Sequence, residues 1–148
     1  METINLPQDR PAGKYANRKL ARTVAFQLFY QEDLNPGSRK QFAESFLKQE
    51  LPDYEPLMRF AETLVNGTAE KKEKIDAILA GIAQHWSLSR MSVIDRNILR
   101  IAVYELLFMD TPKEVVINEA VELAKKFGTE HSAAFVNGIL NNINHETI

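Results

Sequence analysis

The stretch Val93-Ile-Asp-Arg-Asn-Ile-Leu-Arg-Ile-Ala-Val-Tyr-Glu-Leu-Leu-Phe-Met109 decides the fold class. Ile94, Ile98 and Ile101 fall on one face at helical spacing, and Leu99, Ala102, Leu106 and Met109 fall on the adjacent one. A helix this apolar around its circumference needs neighbours on nearly every side. Arg96, Asn97, Arg100 and Tyr104 are left as a narrow polar stripe, so the segment reads as the central helix of a helical protein.

Working outward toward the C-terminus, Thr111-Pro-Lys-Glu114 has the form of a capping box, with proline suited to the first helical position. The helix it opens carries Val116, Ala120, Leu123 and Phe127 inward, pairs Glu122 with Lys126, and stops at Gly128. A last helix over about His131 to Asn142 packs Phe135, Val136, Ile139, Leu140 and Ile143. Gly138 inside it costs ~1 kcal/mol against alanine, which suggests another backbone close by.

Toward the N-terminus, Thr68 reads as the N-cap of a helix with Ile75, Ile78, Leu79, Ile82 and Trp86 on one stripe. Its start, Glu70-Lys-Lys-Glu-Lys74, reads as a solvated face. The preceding helix, about Tyr54 to Val65, has Leu57, Phe60, Ala61 and Leu64 on one side, and Asn66-Gly67 should close it. Before that, a helix after Ser38 turns Phe42, Phe46 and Leu47 inward and fades at Leu51-Pro52. The first helix begins near Asn17, repeats Leu20, Val24, Leu28 and Ala21, Ala25, Phe29 at intervals of four, and ends at Asn35-Pro-Gly37. No segment alternates with period two, so the fold class is all-α with about seven helices. Residues 1–15, with Pro7, Pro11 and Gly13, read as a flexible N-terminal arm ahead of one helical domain over 16–148.

Composition removes several kinds of chemistry. The chain has 148 residues, 45% hydrophobic and 26% charged, ordinary globular usage, and no cysteine, so disulfides, thiolate nucleophiles and cysteine-ligated metals are excluded. No segment resembles a signal peptide or approaches the ~18 apolar residues of a membrane span, which points to the cytoplasm. His85, His131 and His145 lie on separate segments, and no phosphate-binding glycine loop or nucleophile elbow is present. Asp95 and Glu105 on one helix stand roughly 15 Å apart by helical rise, too far for a catalytic carboxylate pair. The inventory points to a protein that is not an enzyme, with no cofactor and no metal.

Charge placement says more than the net charge of −2. Arg10, Lys14, Arg18, Lys19 and Arg22 give residues 10–22 a charge of +5, and the remainder of the chain carries −7. Lys14, Arg18, Arg22, Phe26 and Tyr30 are spaced by four and form one helical stripe. Cations on it can meet phosphates, and an aromatic at its far end can stack on an unpaired base. The alternative is that Arg18 and Arg22 snorkel to solvent and Phe26 is core.

These residues resemble a known family. Trp86, then Val93 to Glu105, Pro112, Val116-Ile-Asn-Glu-Ala-Val-Glu-Leu-Ala-Lys-Lys-Phe-Gly128 and Phe135-Val-Asn-Gly138 are similar to the NusB family of transcription antitermination factors, and Ala21 to Tyr30 look like its first helix. The resemblance implies two small helical bundles packed together, no catalysis, binding of boxA RNA of rRNA leaders, and partnership with the small-subunit ribosomal protein acting as NusE in an antitermination complex with RNA polymerase. It carries RNA contact onto Arg18, Lys19, Arg22, Tyr30, His131 and Phe135, beside Lys14 from the charge stripe, and partner contact onto Asp95, with Tyr104 and Glu105 as weaker candidates. Phe135 reads equally as core, and Glu105 equally as a buried cap or salt bridge. The family's arginine cluster is thinned here to Asn17-Arg-Lys-Leu-Ala-Arg22, and His131 stands where many relatives carry a carboxylate. Other readings are a NusB-like module of the rRNA methyltransferase type, or a bundle that binds only proteins. A homodimer covering the basic helix would occlude RNA.

Overall fold

A computed structural model describes residues 16–83 and 88–145, and Lys14, His85 and Trp86 lie outside them. The described residues form seven α-helices: α1 (Ala16–Leu34), α2 (Ser38–Glu50), α3 (Glu55–Glu70), α4 (Lys72–Ile82), α5 (Val93–Phe108), α6 (Lys113–Phe127) and α7 (Ser132–Asn141). A 3₁₀ turn, Leu88–Arg90, precedes α5. No strand occurs among the described residues, as the all-α reading required. No described helix is long and apolar enough to cross a membrane.

Two compact units divide the chain at Val65 and Asn66. In the first, the interval-of-four pattern of α1 becomes its core: Ala21, Val24, Ala25 and Phe29 are buried, together with Leu47 of α2 and Leu57, Phe60 and Leu64 of α3. Phe42 is a correction to the expected inward face of α2, since it stands 49% exposed while Leu47 is buried. The turn before α2 uses Gly37 at φ 98°, a left-handed conformation that suits glycine. The Glu32 carboxylate accepts from the Gly37 and Arg39 backbone N–H groups at 3.0 and 2.9 Å, so an α1 side chain satisfies the start of α2.

In the second unit α5 packs on α4, α6 and α7, as its apolar circumference requires. Its polar stripe is a further correction: Asn97 and Arg100 are buried. Arg100 donates from Nε and Nη2 to the two carboxylate oxygens of Asp76 on α4, at 2.8 and 3.0 Å, and from Nη1 to Asn97 Oδ1 at 3.0 Å. Burial of the guanidinium is offset by this bidentate pairing, which no local pattern announces.

Asn66-Gly67 does not end α3. The helix runs through it because Gly67 is where the Tyr104 ring of α5 approaches: a Cβ there would lie 2.0 Å from Tyr104 Cζ. The break falls at Lys71, and Thr68, buried within α3, caps nothing. Nor does the capping box form, since α6 starts after Pro112 without a side-chain cap. Lys113 instead donates to the Asn141 and Ile143 carbonyls at 3.2 and 2.7 Å, closing the end of α7. Glu122 meets Lys125 at 3.9 Å, in place of Lys126. Gly128 does end α6, and a Cβ there would meet Ser132 Oγ at 2.3 Å. Gly138 has open space where its Cβ would be, so no backbone approaches it among the described residues.

Candidate nucleic-acid interface

In the first unit the candidate surface is the opening of α1. Arg18 is half-buried and Lys19 exposed. The Arg18 guanidinium carbon sits 4.4 Å from the centroid of the Phe60 ring, a cation–π contact that fixes its stem while leaving part of the group in solvent. Arg22 lies 5.3 Å from the same centroid but is 5% exposed. The reading of Arg22 as a phosphate contact is therefore corrected: Phe60 draws it into the unit. The stripe fails at Phe26 for the same reason, since that ring is core. Tyr30, half-buried, lies 6.1 Å from Phe26 between ring centroids, and its position is held by that tilted contact.

In the second unit, His131 and Phe135 stand one turn apart at the start of α7, joined by the Phe135 N–H donating to the His131 carbonyl at 3.1 Å. His131 is 87% exposed, with Nε2 3.2 Å from the equally exposed Glu130 carboxylate. Phe135 is half-buried, between the two alternatives its sequence position left open. The turn is built by Ser132, whose Oγ accepts from the Thr129 N–H at 3.0 Å.

Of the partner-contact candidates, Asp95 is half-buried in the first turn of α5, where the helix dipole favours an anion. Its N–H donates to the Ser92 cap at 3.0 Å, and its Oδ1 has no hydrogen-bond partner among the described residues. Tyr104 is half-buried, lies over Gly67 and stacks on Phe108 at 5.3 Å. Glu105 is a correction: at 2% exposure it belongs to the interior, on the same apolar circumference that buries Leu106.

One cluster escaped the sequence reading. Lys71 and Lys74 place their ammonium groups 5.7 and 5.8 Å from the Phe108 ring centroid, so part of the charge run read as a solvated face covers an aromatic. The spacing of three puts the lysines on one helix face, but their target comes from α5, so nothing local could reveal it. Among the described residues no group of three or more histidine, aspartate or glutamate side chains is placed to hold a metal ion.

Comparison with known proteins adds to this geometry. The NusB family model matches residues 19–145. The chain is 46% identical over 127 residues to the transcription antitermination protein NusB of Geobacter sulfurreducens, covering 85% of this chain and 92% of that protein. It is 42% identical over 134 residues to the protein of the same name from Elusimicrobium minutum, covering 88% and 94%. Among solved structures, T. maritima NusB superposes with a TM-score of 0.73 at 39% identity, covering 84% of this chain and 87% of that one. The antitermination factor NusB in complex with NusE and dsRNA gives 0.77 at 30% identity, covering 90% and 99%.

Proposed function

The chain belongs to the NusB family, and from that membership we propose that it is a transcription antitermination factor that binds boxA-type RNA of rRNA leaders together with the ribosomal protein acting as NusE, and so supports rRNA transcription. The observation that carries this reading is the likeness, over 90% of the chain, to a factor solved with NusE and dsRNA. The protein works by binding, without catalysis, cofactor or metal, and it acts in the cytoplasm as part of an assembly on RNA polymerase.

On the first unit, Arg18 and Lys19 meet phosphates and Tyr30 offers a ring to an unpaired base; Lys14 adds a cation from outside the described residues. On the second, His131 and Phe135 supply a polar contact and a ring at the head of α7. Asp95, an exposed edge of Tyr104 and the surrounding α5 start serve the protein partner. Arg22 and Glu105 support these surfaces from within.

Titration of a single-stranded boxA-type oligoribonucleotide across a salt series tests the reading. Each neutralised phosphate should contribute about −0.7 to the log–log slope. Lys19→Ala and Arg18→Ala are expected to weaken binding and flatten that slope, whereas Arg22→Ala should act on thermal stability first. Unchanged affinity and slope in the Arg18→Ala, Lys19→Ala double variant would sink the assignment.

A further inference from the structure

A groove of about 370 Å³ lies between α1 and α2 within the first unit. Gln27, Gln31 and Asn35 line it from α1, and Ser38, Phe42 and Gln49 from α2, with no charged side chain among its described walls. Two features mark it as more than a packing seam. Ser38 is 8% exposed, yet its hydroxyl has no hydrogen-bond partner among the described residues. Phe42, expected to face inward, instead presents 49% of its surface. A hydroxyl left dry and unpaired carries a desolvation penalty that a ligand's own donor or acceptor removes.

We propose that this groove receives one unpaired nucleobase of the bound RNA, its face against Phe42 and its edge read by the amides of Gln27 and Gln31 and the Ser38 hydroxyl. The assignment rests on the RNA-binding function proposed above and adds a base-reading position to it. Asparagine and glutamine amides each offer a donor beside an acceptor, the pattern a base edge needs, and an aromatic face stacks on any base. An anchoring side chain of a protein partner would call for a mainly apolar pocket, and here uncharged polar groups supply most of the walls. Arg39 and Lys40 follow Ser38 in the first turn of α2, half-buried and exposed respectively, and place cations for the phosphates that flank the base. The nearby Glu32 carboxylate is engaged by the Gly37 and Arg39 N–H groups.

The test titrates a single-stranded boxA-type oligoribonucleotide, carrying a fluorescent purine analogue at each position in turn, into the full chain with and without the ribosomal protein. One position should show quenching. Phe42→Ala and Gln31→Ala should abolish it there and weaken binding about tenfold, with the salt slope unchanged because no phosphate contact is lost. Ser38→Ala should weaken binding about threefold without lowering thermal stability, since it removes an unpaired hydroxyl. Gln31 is solvent-exposed, so its variant reads binding even if Phe42→Ala perturbs α2.

If these variants bind and quench as wild type while Arg18→Ala and Lys19→Ala weaken binding, the pocket is overturned and the RNA-binding function stands. If wild type binds no strand in either condition, both fall. Loss of ribosomal-protein binding alone in Phe42→Ala would make the groove a protein-docking surface and overturn the inference.

Discussion

His131 shows how far one side chain on a binding surface can be read. It stands 87% exposed at the head of α7, free of any packing role, so its substitution acts on ligand binding with little effect on the fold. An imidazole repels phosphate less than a carboxylate does. His131→Asp should therefore bind the RNA more weakly than wild type, with equal thermal stability; equal affinities would refute an RNA contact there. Arg22 and Glu105 are the opposite case. Their residue types suggested surface chemistry, but an arginine can be drawn over a ring and a glutamate buried among apolar neighbours, and sequence spacing does not distinguish these fates.

At the scale of elements, the helices themselves were legible, because apolar residues recurring at three and four leave few alternatives. Their ends were less so. Asn66-Gly67 has the composition of a stop, yet the glycine serves a contact with Tyr104 inside a continuing helix. Gly67→Ala should lower stability by about 1–2 kcal/mol through overpacking. In a Tyr104→Ala background the same change should cost nothing further. Gly138→Ala, with open space at the Cβ, should instead stabilise α7 by about 0.5–1 kcal/mol. Chemical denaturation of the variants measures all three.

The start of α2 is a second such case. Burial works to raise the Glu32 pKa, but the Gly37 and Arg39 N–H groups and the charges of Arg39 and Lys40 outweigh it and hold the carboxyl below its usual range. A lowered folded-state pKa contributes stability that is complete above the ordinary carboxylate range and is lost as pH falls through the folded value. Wild type should thus be more stable than Glu32→Gln at neutral pH, and the gap should close on acidification. A pH-independent difference in thermal midpoints would contradict the capping role.

For the whole molecule, the net charge of −2 conceals a +5 stretch over residues 10–22 and a body of −7. The basic stretch suits RNA, and the acidic remainder suits a basic ribosomal protein. Adding that protein should tighten RNA binding, and the protein–protein step should itself weaken with salt; an RNA affinity indifferent to the partner would contradict joint binding. The sequence by itself determined the fold class, the number and faces of the helices, the family and the charge division. Each of these rests on patterns within one segment or on sums over the chain. Only the tertiary structure decided which polar groups stay on the surface: Arg22 over Phe60, Arg100 on Asp76, Tyr104 on Gly67, and the unpaired Ser38 beside an exposed Phe42. The reason is that exposure depends on which distant residue comes opposite, and a helical period specifies only the face that looks toward it.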